Sequence, residues 1–129
     1  MLPEYQVLLT ACGLGLLHLA LASFAFKLQV GHAYTIGARD EGLAPSGLAG
    51  RLARAQTNFA ETFPVFLALL FVLSQIQGFD LISKWGCGLY LAGRLAFLPL
   101  YAFGVDLYRT LAWKLATTGI ALLAVSIFV

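Results

Sequence analysis

The 129-residue chain is 60% hydrophobic and only 11% charged, against roughly 25% charged in soluble domains, which excludes an ordinary water-soluble fold and places a single domain in a bilayer. A net charge of +2 without a basic run excludes a nucleic-acid-binding arm. Cys12 and Cys87 stand alone in apolar segments, with no CxxC or Cys/His spacing. They read as small buried hydrophobes rather than a metal or redox set.

The N-terminus, MLPEYQ, carries an acidic residue and no basic stretch, so the first apolar segment is expected to remain as a transmembrane helix rather than be cleaved as a signal peptide. That first span covers about residues 5–26, enough to cross ~30 Å of hydrocarbon, and Lys27 closes it. Ala11, Gly13, Gly15, Ala20 and Ala22 would let another helix approach closely. His18 falls mid-span, where hydrogen bonding among the helices is the plainer role and a ligand or proton carrier the sharper one.

Residues 28–50 hold five glycines, a proline and the charged ARDE patch, and read as the one long polar loop. The second span follows at about residues 52–76, with Pro64 expected to bend it, and QGFD makes a short turn. The third covers about residues 81–103, with Gly86, Gly88 and Gly93 as close-packing points, Arg94 deep inside, and Pro99 as a kink or early end. Tyr101 lies further down the Arg94 face, after Phe97 or Leu98. The fourth covers about residues 107–129, with Arg109, Trp113 and Lys114 near its start. Four spans with one long and two short connections predict an all-α, up-down-up-down four-helix bundle. Basic residues gather around the first and third loops, which the positive-inside rule places in the cytoplasm with both termini outside.

The most informative stretch is RLARAQTNFAETFPVF, residues 51–66. Arg51, Arg54, Asn58 and Glu61 are spaced by three, four and three, so they share one face of a helix that continues as an apolar span. Charges at membrane depth cost roughly 2.5–3.5 kcal/mol each on insertion scales and mark functional sites by default. With Arg94, Tyr101 and Arg109 they compose a socket suited to a zwitterionic peptide: guanidinium for carboxylate, Glu61 for ammonium, Asn58 for either partner. The same residues would equally serve as internal ion pairs, Arg54 or Arg94 with Glu61, that fix helix register, while Arg51 and Arg109 reach lipid headgroups. No Ser/His/Asp set, HExxH, phosphate loop or carboxylate metal motif competes.

Read as RxxRAQxNxxExxPxF, the stretch resembles the signature of the membrane-associated proteins in eicosanoid and glutathione metabolism, the MAPEG family, nearest its leukotriene-synthase and microsomal glutathione transferase branch. The resemblance spans the whole chain in length and helix number, with the second-helix motif its specific part. It implies a homotrimer that binds glutathione between neighbouring subunits. Arg54, Asn58 and Glu61 match glutathione contacts, Gln56 a further polar position, and Arg94 and Tyr101 the third-helix contacts. Arg109 fits the arginine assigned to thiolate activation.

Thr62 stands where the leukotriene branch has a tyrosine, Phe97 where a second tyrosine is expected, and Lys27 alone where the eicosanoid enzymes place arginines. These departures imply a bacterial-type member, in an inner membrane, without an eicosanoid substrate. The resemblance therefore implies a glutathione-dependent transferase or peroxidase, with no metal, acting on a lipophilic molecule from the bilayer. A non-catalytic lipid-binding or scaffolding protein of the same fold is the alternative.

Overall fold

The computed structural model describes residues 1–129 as five α-helices and no strand: α1 (Pro3–Val30), α2 (His32–Ile36), α3 (Gly47–Ile76), α4 (Leu81–Ala102) and α5 (Asp106–Phe128). Three of them, α1, α3 and α5, are long and apolar enough to cross a membrane. The 22-residue α4 has comparable length, but Ser83, Lys84, Arg94 and three glycines dilute its apolar content.

The helices extend beyond the apolar stretches seen in the sequence. Hydropathy marks what lipid would cover, whereas backbone hydrogen bonding continues into polar residues until a cap stops it. Pro3 occupies the first position of α1, where its missing N–H costs nothing. The expected 28–50 loop is consequently shorter and more ordered: it surrenders its first residues to α1 and its last to α3, and encloses α2. Gln29 ties it down, its amide donating to Ala44 O (3.1 Å) and accepting from Ser46 N (2.9 Å) at the threshold of α3. Pro64 and Pro99 sit inside continuous helices. Each removes one backbone donor without ending its helix.

Consecutive long helices run in opposite directions, as the contacts require. Gly15 of α1 meets Phe59 of α3 while Tyr5 meets Phe79 just beyond its end. Arg51 reaches Ala102 while Phe66 stacks on Tyr90, so α3 and α4 are antiparallel. The tightest pairing is α4 with α5. A Cβ added at Gly93 would lie 2.6 Å from Ala112 O and Ala116 N, and one at Gly119 would lie 2.5 Å from Gly86 O and Tyr90 N. These glycines permit backbone-to-backbone contact, the packing mode expected where lipid supplies no hydrophobic drive between helices. Gly88 and Gly13 have open space instead, so these two make no close helix contact within the subunit.

Aromatic rings fill the centre. Phe66 and Tyr90 stack at 4.0 Å between centroids, and Phe59 and Phe63 stack at 5.3 Å. His18 is buried and stacked on Phe59 at 4.9 Å, and its imidazole nitrogens make no hydrogen bond within the protein. It packs as an aromatic ring, not as the hydrogen-bonding residue that its mid-span position suggested.

Candidate functional site

The α3 stripe and the C-terminal half of α4 meet because the two helices are antiparallel and each keeps helical register at the contact. Arg94 is fully buried. Its Nη1 donates to Asn58 Oδ1 at 2.7 Å, and its Nη2 donates to the Thr62 hydroxyl. Its guanidinium carbon lies 5.1 Å from the Phe97 ring centroid and 6.0 Å from that of Phe59. Two oxygen acceptors and two ring faces thus replace part of the water around a charge that would otherwise be costly to bury, while Nε is left without a partner.

Toward the end of α4, Tyr101 is placed between two guanidinium groups. Arg54 Nε donates to its hydroxyl at 3.2 Å, and the Arg109 guanidinium carbon sits 4.6 Å from its ring centroid. Asn58, Phe97, Tyr101, Arg109, Thr110 and Trp113 enclose a groove of about 260 Å³. The sole ion pair in the subunit is Arg109 with Asp106 at 3.7 Å, and Asp106 is 88% exposed. An exposed pair of that length holds its partner weakly. Arg109 is therefore free to engage an anion in the groove.

The other sequence-predicted residues lie at the edge of this groove or away from it. Arg54 touches Tyr101 from the exposed side. Glu61 is exposed and makes no ion pair, so neither expected pairing, with Arg54 or with Arg94, occurs within the subunit. Gln56 faces α1, lining a cavity of about 340 Å³ with Lys27 and Arg39. Two residues along a helix turn the side chain by roughly 200°, so Gln56 and Asn58 cannot reach one ligand within a single subunit. Arg51 donates to Ala102 O at 2.8 Å, closing the end of α4.

The family model described as MAPEG family matches residues 7–129. The chain belongs to the MAPEG family. No curated protein matches it. Proteins of this family are membrane-associated, and three helices of this chain are long and apolar enough to cross a bilayer.

Sequence reasoning about this MAPEG protein missed three contributors to the site. Thr62 was legible only as a missing tyrosine, yet its hydroxyl accepts from Arg94 and donates to Phe59 O at 3.3 Å. Its position one turn after Asn58 was the available signal. Thr110 and Trp113 wall the groove from α5, one and four residues after Arg109. Nothing in their residue types distinguished them from ordinary helix surface.

Proposed function

We propose that the protein is a membrane-embedded, glutathione-dependent transferase or peroxidase acting on lipophilic electrophiles or hydroperoxides from the bilayer. The observation that carries this reading is the half-buried Arg109 guanidinium, weakly paired, in one groove with Asn58 and Tyr101. A fixed cation in a partly dry site favours a thiolate over a thiol. The thiolate would form a carbon–sulfur bond as the electrophile's leaving group departs. On this reading Arg109 is the catalytic residue, Tyr101 and Asn58 line the peptide site, Arg54 flanks it, and Glu61 takes the ammonium group.

The reading extends to a homotrimer in which all four long helices span the membrane, with both termini outside the cytoplasm of a bacterial inner membrane. The opposed directions of Gln56 and Asn58 support a site shared between subunits: a peptide reaching Lys27, Arg39 and Gln56 as well as the Arg109 groove would need two copies. Native mass measurement in mild detergent tests this, and a stable monomer that binds glutathione contradicts it. The activity itself is tested with detergent-purified protein, which should bind glutathione and conjugate it to a generic aromatic electrophile.

One observation favours the non-catalytic, lipid-binding alternative. The Thr62 hydroxyl is engaged by Arg94, and Phe97 offers no hydroxyl, so the groove is poorer in peptide contacts than its residue pattern promised. Glutathione binding without turnover of any electrophile or hydroperoxide would support that alternative.

A further inference from the structure

We propose that Arg94 is a positioning residue that locks the Asn58 amide, so that this position presents only N–H donors to the groove and reads a carbonyl or carboxylate oxygen of the peptide. The inference rests on the glutathione reading above and names which chemical face of the thiol peptide the groove accepts. A guanidinium has five donors and no acceptor. Only the oxygen of the Asn58 amide can face Arg94 Nη1 at 2.7 Å, and the NH2 group is turned away. An asparagine free to rotate would suit a donor or an acceptor equally. Here rotation would bring an N–H against a buried cation and strand both groups, at the cost of a lost charge-assisted bond.

Arg94 is itself held firmly, with Thr62 as its second acceptor and the Phe97 and Phe59 rings beside it. Being fully buried, it acts from behind the groove wall, not as the direct peptide contact expected from the sequence. The remaining lining follows the same polarity. Tyr101 accepts from Arg54 and keeps its own proton to donate, Arg109 only donates, and Trp113 carries a single N–H donor. Thr110 is the exception: its hydroxyl proton goes to Asp106 O at 3.1 Å, leaving it an acceptor. The groove therefore selects the oxygen-rich, anionic side of a ligand. The ammonium group must be recognised outside it, consistent with Glu61 lying on the exposed face of α3.

The test is a set of glutathione dissociation constants and steady-state parameters. Asn58→Asp keeps Arg94 paired, now with a carboxylate, but removes both donors. It should leave the thermal midpoint at or above that of the unsubstituted protein and weaken glutathione at least about tenfold, through KM and not kcat. Unchanged or tighter binding by Asn58→Asp overturns the proposal, since a position that reads the ammonium group would gain. Arg94→Lys, which still donates to the amide oxygen, should bind nearly normally. Arg94→Leu should lose about tenfold, and that loss should vanish in an Asn58→Ala background. An undiminished loss there means Arg94 acts independently of Asn58, and the proposal fails. If Arg94→Leu does not fold, Asn58→Asp decides alone. No glutathione binding by the unsubstituted protein would overturn the functional reading and this inference together, whereas normal binding by both it and Asn58→Asp overturns only the inference.

Discussion

The two ends of α4 handle polar groups in opposite ways. At its N-terminus Asp80 accepts from Ser83 N (2.7 Å) and Ser126 Oγ (2.8 Å), Ser83 Oγ accepts from Asp80 N (2.8 Å), and Gln77 bonds Ser126 O. This reciprocal cap uses the chain's own donors and acceptors and also ties the turn after α3 to the end of α5. At the C-terminal end Arg51 closes one carbonyl, and then Asn58, Tyr101 and Arg109 retain donors that no protein acceptor uses. Polar groups that satisfy one another hold a fold together. Donors converging on a groove with one weak ion pair among them remain available to a ligand.

Between these ends, α4 is fixed to α5 by glycine contacts, and breaking that link should have the largest effect on stability. Gly93→Ala places a methyl 2.6 Å from two backbone atoms that cannot rotate away. It should destabilise the protein by about 1–3 kcal/mol, as overpacking does. Gly88→Ala has open space and should instead stabilise its helix by up to about 1 kcal/mol. Thermal midpoints in one detergent check the pair, and equal effects would mean that α4 and α5 are not in backbone contact.

The next effect falls on the open end alone. Arg54→Ala removes the donor on the Tyr101 hydroxyl, and should weaken glutathione about tenfold with little change in midpoint. Glu61→Gln should weaken glutathione more than an analogue lacking the amine. Because Glu61 is exposed and forms no ion pair within the subunit, the substitution should shift subunit stability by less than about 0.5 kcal/mol. A large loss of stability or of the oligomer would show that Glu61 has a structural partner across the subunit boundary.

The smallest effect belongs to the closed end. The Ser83 backbone N–H, aided by the Ser126 hydroxyl, holds the Asp80 carboxyl below the usual carboxylate range. A depressed folded value means the cap contributes its full electrostatic share above the unfolded carboxyl value of about 3.9, and loses it as pH falls through the lower folded value. Asp80→Ala should therefore lower the midpoint modestly at neutral pH, converge with the unsubstituted protein in strong acid, and leave glutathione binding intact. A loss of binding would mean the two ends are coupled.

Much of this arrangement was legible in the sequence, and for an identifiable reason. Arg51, Arg54, Asn58 and Glu61 stand out because helical spacing and membrane cost both act on them, and the apolar runs of α1, α3 and α5 need only counting. What lay hidden was partner choice. Arg94 had an obvious carboxylate in Glu61, yet the antiparallel register of α3 and α4 delivers Asn58 and Thr62 to it instead. The α4–α5 pairing was hidden in the same way, since Gly88 and Gly93 look alike in the sequence while only Gly93 is packed, against α5. The five-residue α2 was invisible because so short a segment has no periodicity to read.

The most direct test is the ultraviolet absorbance of bound glutathione thiolate, compared between the unsubstituted protein and Arg109→Ala. A free thiol has a pKa near 8.5, and each unit of depression corresponds to about 1.4 kcal/mol of preference for the anion. On the proposed reading the guanidinium of Arg109 supplies that preference as a fixed cation, so the unsubstituted protein should show thiolate at neutral pH. Arg109→Ala should still bind glutathione but lose the absorbance, react at least about tenfold more slowly at neutral pH, and shift its pH–rate profile upward. Arg109→Lys should recover part of the signal as a point charge. Arg109→Ala with bound glutathione and an undiminished thiolate signal would contradict the account, and loss of that signal in Arg94→Ala alone would move the activating charge from α5 to α4.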